Sequence, residues 1–250
     1  MALKEQINQK KIPRHIAVIM DGNGRWAAQH GHQRIFGHRN GIESVRQTVE
    51  AAGELGIEYL TLYSFSTENW KRPKAEINGL MYLLGKAIAN ETQKLHQNNV
   101  RLQVIGNMND LPPKLQQQLR QSIDTLSKNT GLTLVLALSY SGRWEISEAM
   151  QQIAHEVQKG NIDPENIDSA LIESFLHTSS IPDPELLIRT SGEQRISNFL
   201  LWQLAYTELH FTPVLWPDFR KEHFYEAILD FQRRERRFGK VLITDSLGSA

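Results

Sequence analysis

The segment Met20-Asp21-Gly22-Asn23-Gly24-Arg25-Trp26 directly follows the apolar run Ile16-Ala17-Val18-Ile19 and holds residue types that bind a metal and a polyanion. A carboxylate at the end of a buried strand can hold a divalent cation. The glycines let backbone N–H groups approach an anion closely, and the start of a following helix adds positive potential. Such chemistry suits a diphosphate or a nucleotide. A tight Gly-x-Gly turn capped by Asn23 would use most of the same residues structurally. Arg25 and Trp26 have no place in that simpler turn.

Further charge lies downstream. His32-Gln33-Arg34-Ile35-Phe36-Gly37-His38-Arg39-Asn40-Gly41 adds cations near the same helix start. One arginine there would be a solvated surface charge; several beside a glycine-rich turn make an anion site. His38 can donate to a phosphate, carry a proton, or be a core or capping residue. Far along the chain, Arg189-Thr190-Ser191-Gly192-Glu193-Gln194-Arg195-Ile196-Ser197-Asn198 forms a second oxyanion cradle, because arginine grips phosphate through a planar set of donors. Two cradles imply two anionic substrates or one long one. A helix is expected to begin near Ser197, with Glu208 one helical segment later as an acid returned to the site. The loop from Ser64 to Pro73 supplies Ser66 and Asn69 for neutral hydrogen bonds, Arg72 for charge and Trp70 as a flat apolar wall.

The elements that must position these groups alternate in type. Strands are predicted over His15–Met20, Tyr59–Phe65, Val100–Ile105, Thr133–Leu138, Leu186–Arg189 and Glu208–Phe211. Helices are predicted over Gly41–Leu55, Lys74–Asn98, Pro113–Lys128, Arg143–Gln158, Asp168–Leu176 and Phe219–Arg237. This alternation implies an α/β fold with a mostly parallel central sheet of about six strands flanked by helices. Ligands of such sheets sit beyond the strand C-termini. Asp21, Ser66 and Arg189 all fall there.

Composition narrows the function. The 250 residues fit one domain over 1–250, with 1–12 and 241–250 expected to be flexible. Lys plus Arg and Asp plus Glu both total 28, so nothing marks a nucleic-acid binder. With no cysteine there is no disulfide, thiol nucleophile or Cys-ligated zinc, which agrees with a cytoplasmic protein. The longest purely apolar runs, such as Leu134–Leu138, are far short of the roughly 20 residues of a membrane span. Any membrane contact is therefore expected to be peripheral.

Taken together, the motifs resemble the cis-prenyltransferases. Asp21-Gly22-Asn23-Gly24-Arg25-Trp26, Gly37-His38-x-x-Gly41, Phe65-Ser66-x-Glu68-Asn69-Trp70-x-Arg72-Pro73 and Arg189-Thr190-x-Gly192-Glu193-x-Arg195-x-Ser197-Asn198-Phe199 occur in the family's order and spacing. The resemblance implies repeated condensation of isopentenyl diphosphate onto farnesyl diphosphate, with Mg²⁺ as cofactor and undecaprenyl diphosphate as the expected product. It makes Asp21 the essential acid that engages Mg²⁺, and Glu208 a further metal-linked acid. Gly22, Asn23, Gly24, Arg25, Trp26, Arg34 and His38 would hold the allylic diphosphate; Arg189, Arg195 and Ser197 would hold that of isopentenyl diphosphate. Ser66, Asn69, Trp70 and Arg72 would order over the substrates, with Asn69 among the catalytic residues. Arg237 and Gly239 match a C-terminal Arg-x-Gly that reaches the partner's site in a homodimer. Ser64, Ser139 and Ser141 depart from the residues common in the family, beside the groove and in the turn before Arg143.

A hydrocarbon product also needs an apolar channel, for which the 74–98 helix and the 132–138 strand are the candidate walls. Asp21, His38, Asn69 through water, or a diphosphate oxygen could each take the proton lost in condensation. Rival chemistries fit less well. A trans-prenyltransferase would need Asp-rich pairs, and no Asp-Asp occurs. A dinucleotide oxidoreductase would need Gly-x-Gly-x-x-Gly. A non-catalytic prenyltransferase subunit would lack the aspartate and the arginine cradle.

Overall fold

His15–Ile19 is buried at every position, as a central strand of a parallel sheet must be. In the computed structural model, which describes residues 2–234, this strand is β1. The others are β2 (Tyr59–Ser66), β3 (Arg101–Ile105), β4 (Thr133–Tyr140), β5 (Leu186–Arg189) and β6 (Glu208–Phe211). They form one six-stranded sheet in the order β3-β4-β2-β1-β5-β6, and every pairing is parallel. The chain moves to one side of β1 for β2 to β4, then crosses to the other side for β5. That reversal opens a crevice beyond the C-terminal end of β1.

Helices cover both faces: α1 (Leu3–Gln6), α2 (Asn23–Gln29), α3 (Arg34–Glu54), α4 (Lys74–Gln97), α5 (Pro113–Leu126), α6 (Gly142–Gln158), α7 (Ser169–Phe175) and α8 (Lys221–Arg233). Alternate residues of β1 serve the two layers. Ile16 and Val18 pack into the core with α3, α4, α5 and α8. Ala17 and Ile19 pack into a smaller core with Tyr140, Phe199 and Leu200.

Three sequence expectations change. Helix α3 starts at Arg34 rather than Gly41, because Gly37 and Gly41 are places of close packing and not breaks. A Cβ on Gly37 would lie 1.9 Å from the Asn23 carbonyl oxygen. The helix expected near Ser197 does not form: Ser197, Asn198 and Leu200 have φ of 48°, 60° and 45°, outside the right-handed helical region. Their backbone is instead tied to α6, with the Asn198 carbonyl accepting from Gly142 N–H at 2.7 Å. Helix α8 begins at Lys221, since Phe219 is fully buried before it. Within the segment 2–12 most side chains are exposed, but two contacts tie it to the rest of the protein. Ile7 is in the core, and Asn8 N–H donates to Gln232 Oε1 at 3.0 Å.

His15 makes stability pH-dependent. Its Nδ1 lies 2.6 Å from the Pro182 carbonyl and its Nε2 lies 2.7 Å from the Thr61 hydroxyl. A carbonyl only accepts, so Nδ1 carries the proton and Nε2 accepts from Thr61. Burial outweighs the Pro182 bond and pushes the imidazole down to about 4. Because the folded value lies below the ordinary 6.5, this contribution to stability is complete above pH 6.5. It is lost as pH falls toward 4. In urea unfolding His15 should contribute roughly 3 kcal/mol of the loss over that window, and His15→Gln should make the dependence shallower. An unchanged slope in that variant would count against His15 as the source.

Candidate active site

At the end of β1, Ile19 is in register with Tyr63 on β2 and Arg189 on β5. Asp21, two residues on, is fastened to β5 through its backbone. Its N–H donates to Thr190 Oγ1 at 2.9 Å, and that hydroxyl donates to the Asp21 carbonyl at 2.6 Å. Gly22 takes φ 107°, which favours glycine, and donates its N–H to Asp21 Oδ1 at 2.7 Å. A side chain there would also meet Leu215 at 2.9 Å. The Gly24 Cα lies against the Arg34 guanidinium, which a Cβ would approach to 3.0 Å.

Arg189, only 3% exposed, is the centre of the second cradle. Its Nη2 donates to Asp21 Oδ2 at 2.9 Å and its Nη1 to Ser197 Oγ at 2.7 Å, with a further bond to the Arg195 carbonyl. Arg25 bridges the two loops: its Nη2 donates to Ser191 Oγ at 2.5 Å and stands 3.2 Å from Glu193 and 3.9 Å from Asp21. Burial pushes the Asp21 carboxyl up. The Arg189 guanidinium, the Gly22 N–H and the Ser191 hydroxyl outweigh it and hold the group below the usual carboxylate range. Asp21 is therefore an anion at neutral pH and a weak base. The two cradles that the sequence separates by about 165 positions share this one carboxylate.

His38 is half-buried on α3. Burial, with Arg72 and Arg34 nearby and only Glu76 opposing, pushes it down to about 4, so the ring is neutral near pH 7. Glu76 joins Arg34 at 3.3 Å to Arg72 at 3.2 Å. The i,i+4 spacing of Arg72 and Glu76 at the start of α4 was its only sequence signal. Asn23 Oδ1, His38 Nε2 and Arg189 Nε are buried with no hydrogen-bond partner among the described residues. All three residues line one cavity. Buried polar atoms are nearly always paired, so a cluster of orphans on a cavity wall marks where a polar ligand belongs.

The loop after β2 is already folded as a 3-10 turn over Thr67–Lys71. Asn69 Oδ1 accepts from Ser66 N–H at 3.1 Å. Trp70 packs edge-on to Phe65, and its Nε1 donates to Ser139 Oγ at 2.8 Å. Ser139 donates in turn to Asp110 at 2.6 Å. Ser141 precedes α6 and accepts from the Thr67 hydroxyl at 2.9 Å. Both serines thus anchor the loop. Ser64 lines the cavity and donates to the Leu62 carbonyl at 3.3 Å.

That cavity, of about 710 Å³, runs from Asp21, Asn69 and Arg189 between α3 and α4 to Leu95 and Asn98. Its polar end holds Asn23, His38, Ser66, Arg72 and Ser197, and its depth is walled by residues such as Val45, Leu84, Ile88 and Leu136. Among the described residues no three His, Asp or Glu side chains cluster to hold a metal. Asp21 alone fits Mg²⁺ in the way that ion is usually held beside phosphates, by one or two carboxylates and the substrate's own oxygens.

Other predicted residues are placed elsewhere. Trp26 donates to Asp218 at 2.8 Å and stacks on His30, outside the cavity lining. Arg195 is largely exposed and pairs with Glu193. Glu208 starts β6 opposite Leu186, three register positions from the Phe211–Arg189 pair. It binds Arg234 at 2.9 Å and lies about 10 Å of strand from the site end. Arg237, Gly239 and the 241–250 tail are outside the described residues. Asn198 carried no assigned role, yet its side chain ties the Glu68 carboxylate at 2.8 Å to the Arg143 N–H at 3.0 Å. Only folding brings those three segments together.

A parallel α/β sheet with two guanidinium groups around one aspartate, opening into an apolar cavity, suits the class of protein that handles ligands with an anionic head group on a hydrocarbon chain. The family model described as "Putative undecaprenyl diphosphate synthase" matches residues 19–239. The chain belongs to this prenyltransferase family. It is 57% identical to an isoprenyl transferase of Chlorobaculum tepidum over 92% of this chain and 87% of that one. It is 49% identical to the ditrans,polycis-undecaprenyl-diphosphate synthase ((2E,6E)-farnesyl-diphosphate specific) of Pasteurella multocida, over 94% and 98%. Among solved structures, lavandulyl diphosphate synthase from Lavandula x intermedia in complex with dimethylallyl diphosphate superposes with a TM-score of 0.90. The identity is 36%, over 92% of this chain and all of that one. A probable undecaprenyl diphosphate synthase from Campylobacter jejuni matches with a TM-score of 0.76 and 32% identity, over 91% and 99%.

Proposed function

We propose that this chain condenses isopentenyl diphosphate onto farnesyl diphosphate in repeated cis additions to make undecaprenyl diphosphate, the lipid-carrier precursor for cell-wall polysaccharide. The observation that carries this reading is the junction of the shared Asp21–Arg189 site with the long apolar cavity. The allylic C1–O bond breaks and its electron pair leaves on the diphosphate. The terminal alkene carbon of isopentenyl diphosphate bonds to C1, and a proton leaves C2 to form the new double bond.

Asn23, Arg25, Arg34 and neutral His38 hold the allylic diphosphate, and Arg189, Arg195 and Ser197 hold the other. Fixing both ends aligns C1 with the alkene, largely a proximity effect. The guanidinium groups stabilise the charge that gathers on the leaving oxygens. Mg²⁺, bound through Asp21 and diphosphate oxygens, would supply further stabilisation of that charge. The lowered pKa of Asp21 suits a charge-holding role better than proton abstraction, for which a base near the working pH is favoured. Ser66, Asn69, Trp70 and Arg72 close over the substrates, and Asn69 orients a water or the second diphosphate.

We also infer a homodimer in which Arg237 and Gly239 reach the partner's site, and a peripheral contact at the inner face of the membrane for product release. No helix among the described residues is long and apolar enough to cross a membrane. A short-chain synthase is the second reading, since the fold is shared with the lavender enzyme. The depth of the apolar cavity favours a long product. Purified protein given farnesyl diphosphate and labelled isopentenyl diphosphate should produce a Mg²⁺-dependent ladder ending at undecaprenyl diphosphate. No elongation with Mg²⁺ present would sink the reading.

A further inference from the structure

We infer that the ion pair between Arg46 and Glu91 is the strut that sets how far the hydrocarbon product can grow. This rests on the long-chain synthase reading above. The cavity is bounded by two helices that both start at the substrate end and run away from it. Arg46 lies about 18 Å along α3 from its start at Arg34, and Glu91 about 26 Å along α4 from its start at Lys74. Up to this depth the walls are mostly apolar, with Val45, Leu84, Ala87 and Ile88 among them. Past it, Glu50, Lys94 and Asn98 enter the lining.

Arg46 and Glu91 themselves line the cavity and join its two helical walls. Arg46 Nε and Nη2 both donate to Glu91 Oε1, at 2.9 and 2.5 Å. Arg46 Nη1 is held from behind by Glu43 at 3.2 Å, and Glu43 in turn accepts from Gln47 at 3.1 Å. The guanidinium is therefore aimed across the gap. The Glu91 side chain is 19% exposed and that of Arg46 40%, so the carboxylate end of the pair is the end shielded from water.

A hydrocarbon tail that reaches this level meets charge where its own chemistry wants apolar contact. Single charges facing the tail would be costly to desolvate, and pairing keeps them facing each other. Further growth brings the tail against Glu50, Lys94 and Asn98 beyond the pair, or parts α3 from α4 and so breaks a charge-assisted double hydrogen bond. Each condensation is otherwise the same reaction, so that added cost falls only on additions beyond a set length. The competition between another addition and release then appears as a product ratio.

The test compares product ladders from farnesyl diphosphate and labelled isopentenyl diphosphate for wild type, Glu91→Gln, Arg46→Gln, the double variant and Glu91→Asp. Each single neutral variant should raise the ratio of longer products to the main wild-type product by about tenfold. The double variant should go no further, because the two groups act as one unit. Glu91→Asp, which keeps the charge, should stay closer to wild type than Glu91→Gln. The first condensation, timed in a single turnover, should be unchanged in all of them, since neither residue touches the diphosphate site. An unaltered ladder, a shift in only one single variant, additive shifts in the double variant, or a slowed first condensation would each overturn the strut. Wild-type protein that elongates beside variants with an unaltered ladder would leave the synthase reading standing. Wild-type protein that does not elongate at all would remove both.

Discussion

Asp21→Asn should lower turnover by about three orders of magnitude or more while the chain still folds. The exchange is nearly isosteric, so what it removes is charge. Asp21 is the acid that both cradles share, at 2.9 Å from Arg189 and 3.9 Å from Arg25. Without it Arg189 loses its carboxylate partner while Arg25 keeps Glu193, and the site loses its candidate ligand for Mg²⁺. Arg189 keeps Ser197 and the Arg195 carbonyl as partners, which limits the structural damage. Because Arg189 is buried, its lost ion pair should still appear as a lower melting temperature. Steady-state rates with both substrates, together with a thermal melt, separate the two effects. A folded variant within about tenfold of the wild-type rate would remove Asp21 from the chemistry.

The second large effect is on stability and arises away from any charge. Gly37→Ala should destabilise the protein by about 3 kcal/mol, and more if α2 is displaced. A Cβ at this position would sit 1.9 Å from the Asn23 carbonyl oxygen and 2.7 Å from its carbon. The obstacle is backbone, so no rotamer change relieves it. In an open helix the same exchange would gain up to about 1 kcal/mol from helix propensity. Gly53, near the other end of α3, has nothing within 4 Å of its would-be Cβ, and Gly53→Ala should show that gain. Denaturant unfolding of both variants tests the pair, and equal effects would contradict the packing account. Gly37→Ala should also weaken binding of the allylic diphosphate, because α2 carries Asn23 and Arg25 with it.

Much of this architecture was legible in the residues alone. All six strands were predicted within two residues of their ends, because each is a short run of mainly apolar residues, and the central ones β1, β4 and β5 are buried at every position. The candidate anion-binding segments stood out through residue type, since arginine, glycine and hydroxyl residues cluster at these strand ends. The errors share one physical origin. Gly37 and Gly41 look like helix breakers until α2 is packed against them. Ser197, Asn198 and Leu200 have ordinary helical spacing, but their left-handed backbone is imposed by bonds to Gly142 and Arg143.

The sequence by itself determined the alternation of strands and helices, the charge types at the strand ends and the family to which they belong. Those are properties of local runs, where side-chain size, branching and charge act within a few residues. Tertiary structure alone decided that Asp21 is shared by both cradles, that His38 is kept neutral, and that Ser139 and Ser141 hold the Trp70 loop. It also decided that Arg46 meets Glu91 across a cavity. Each of these depends on the distance between segments far apart in the chain, and on the water excluded from between them. Periodicity carries neither quantity.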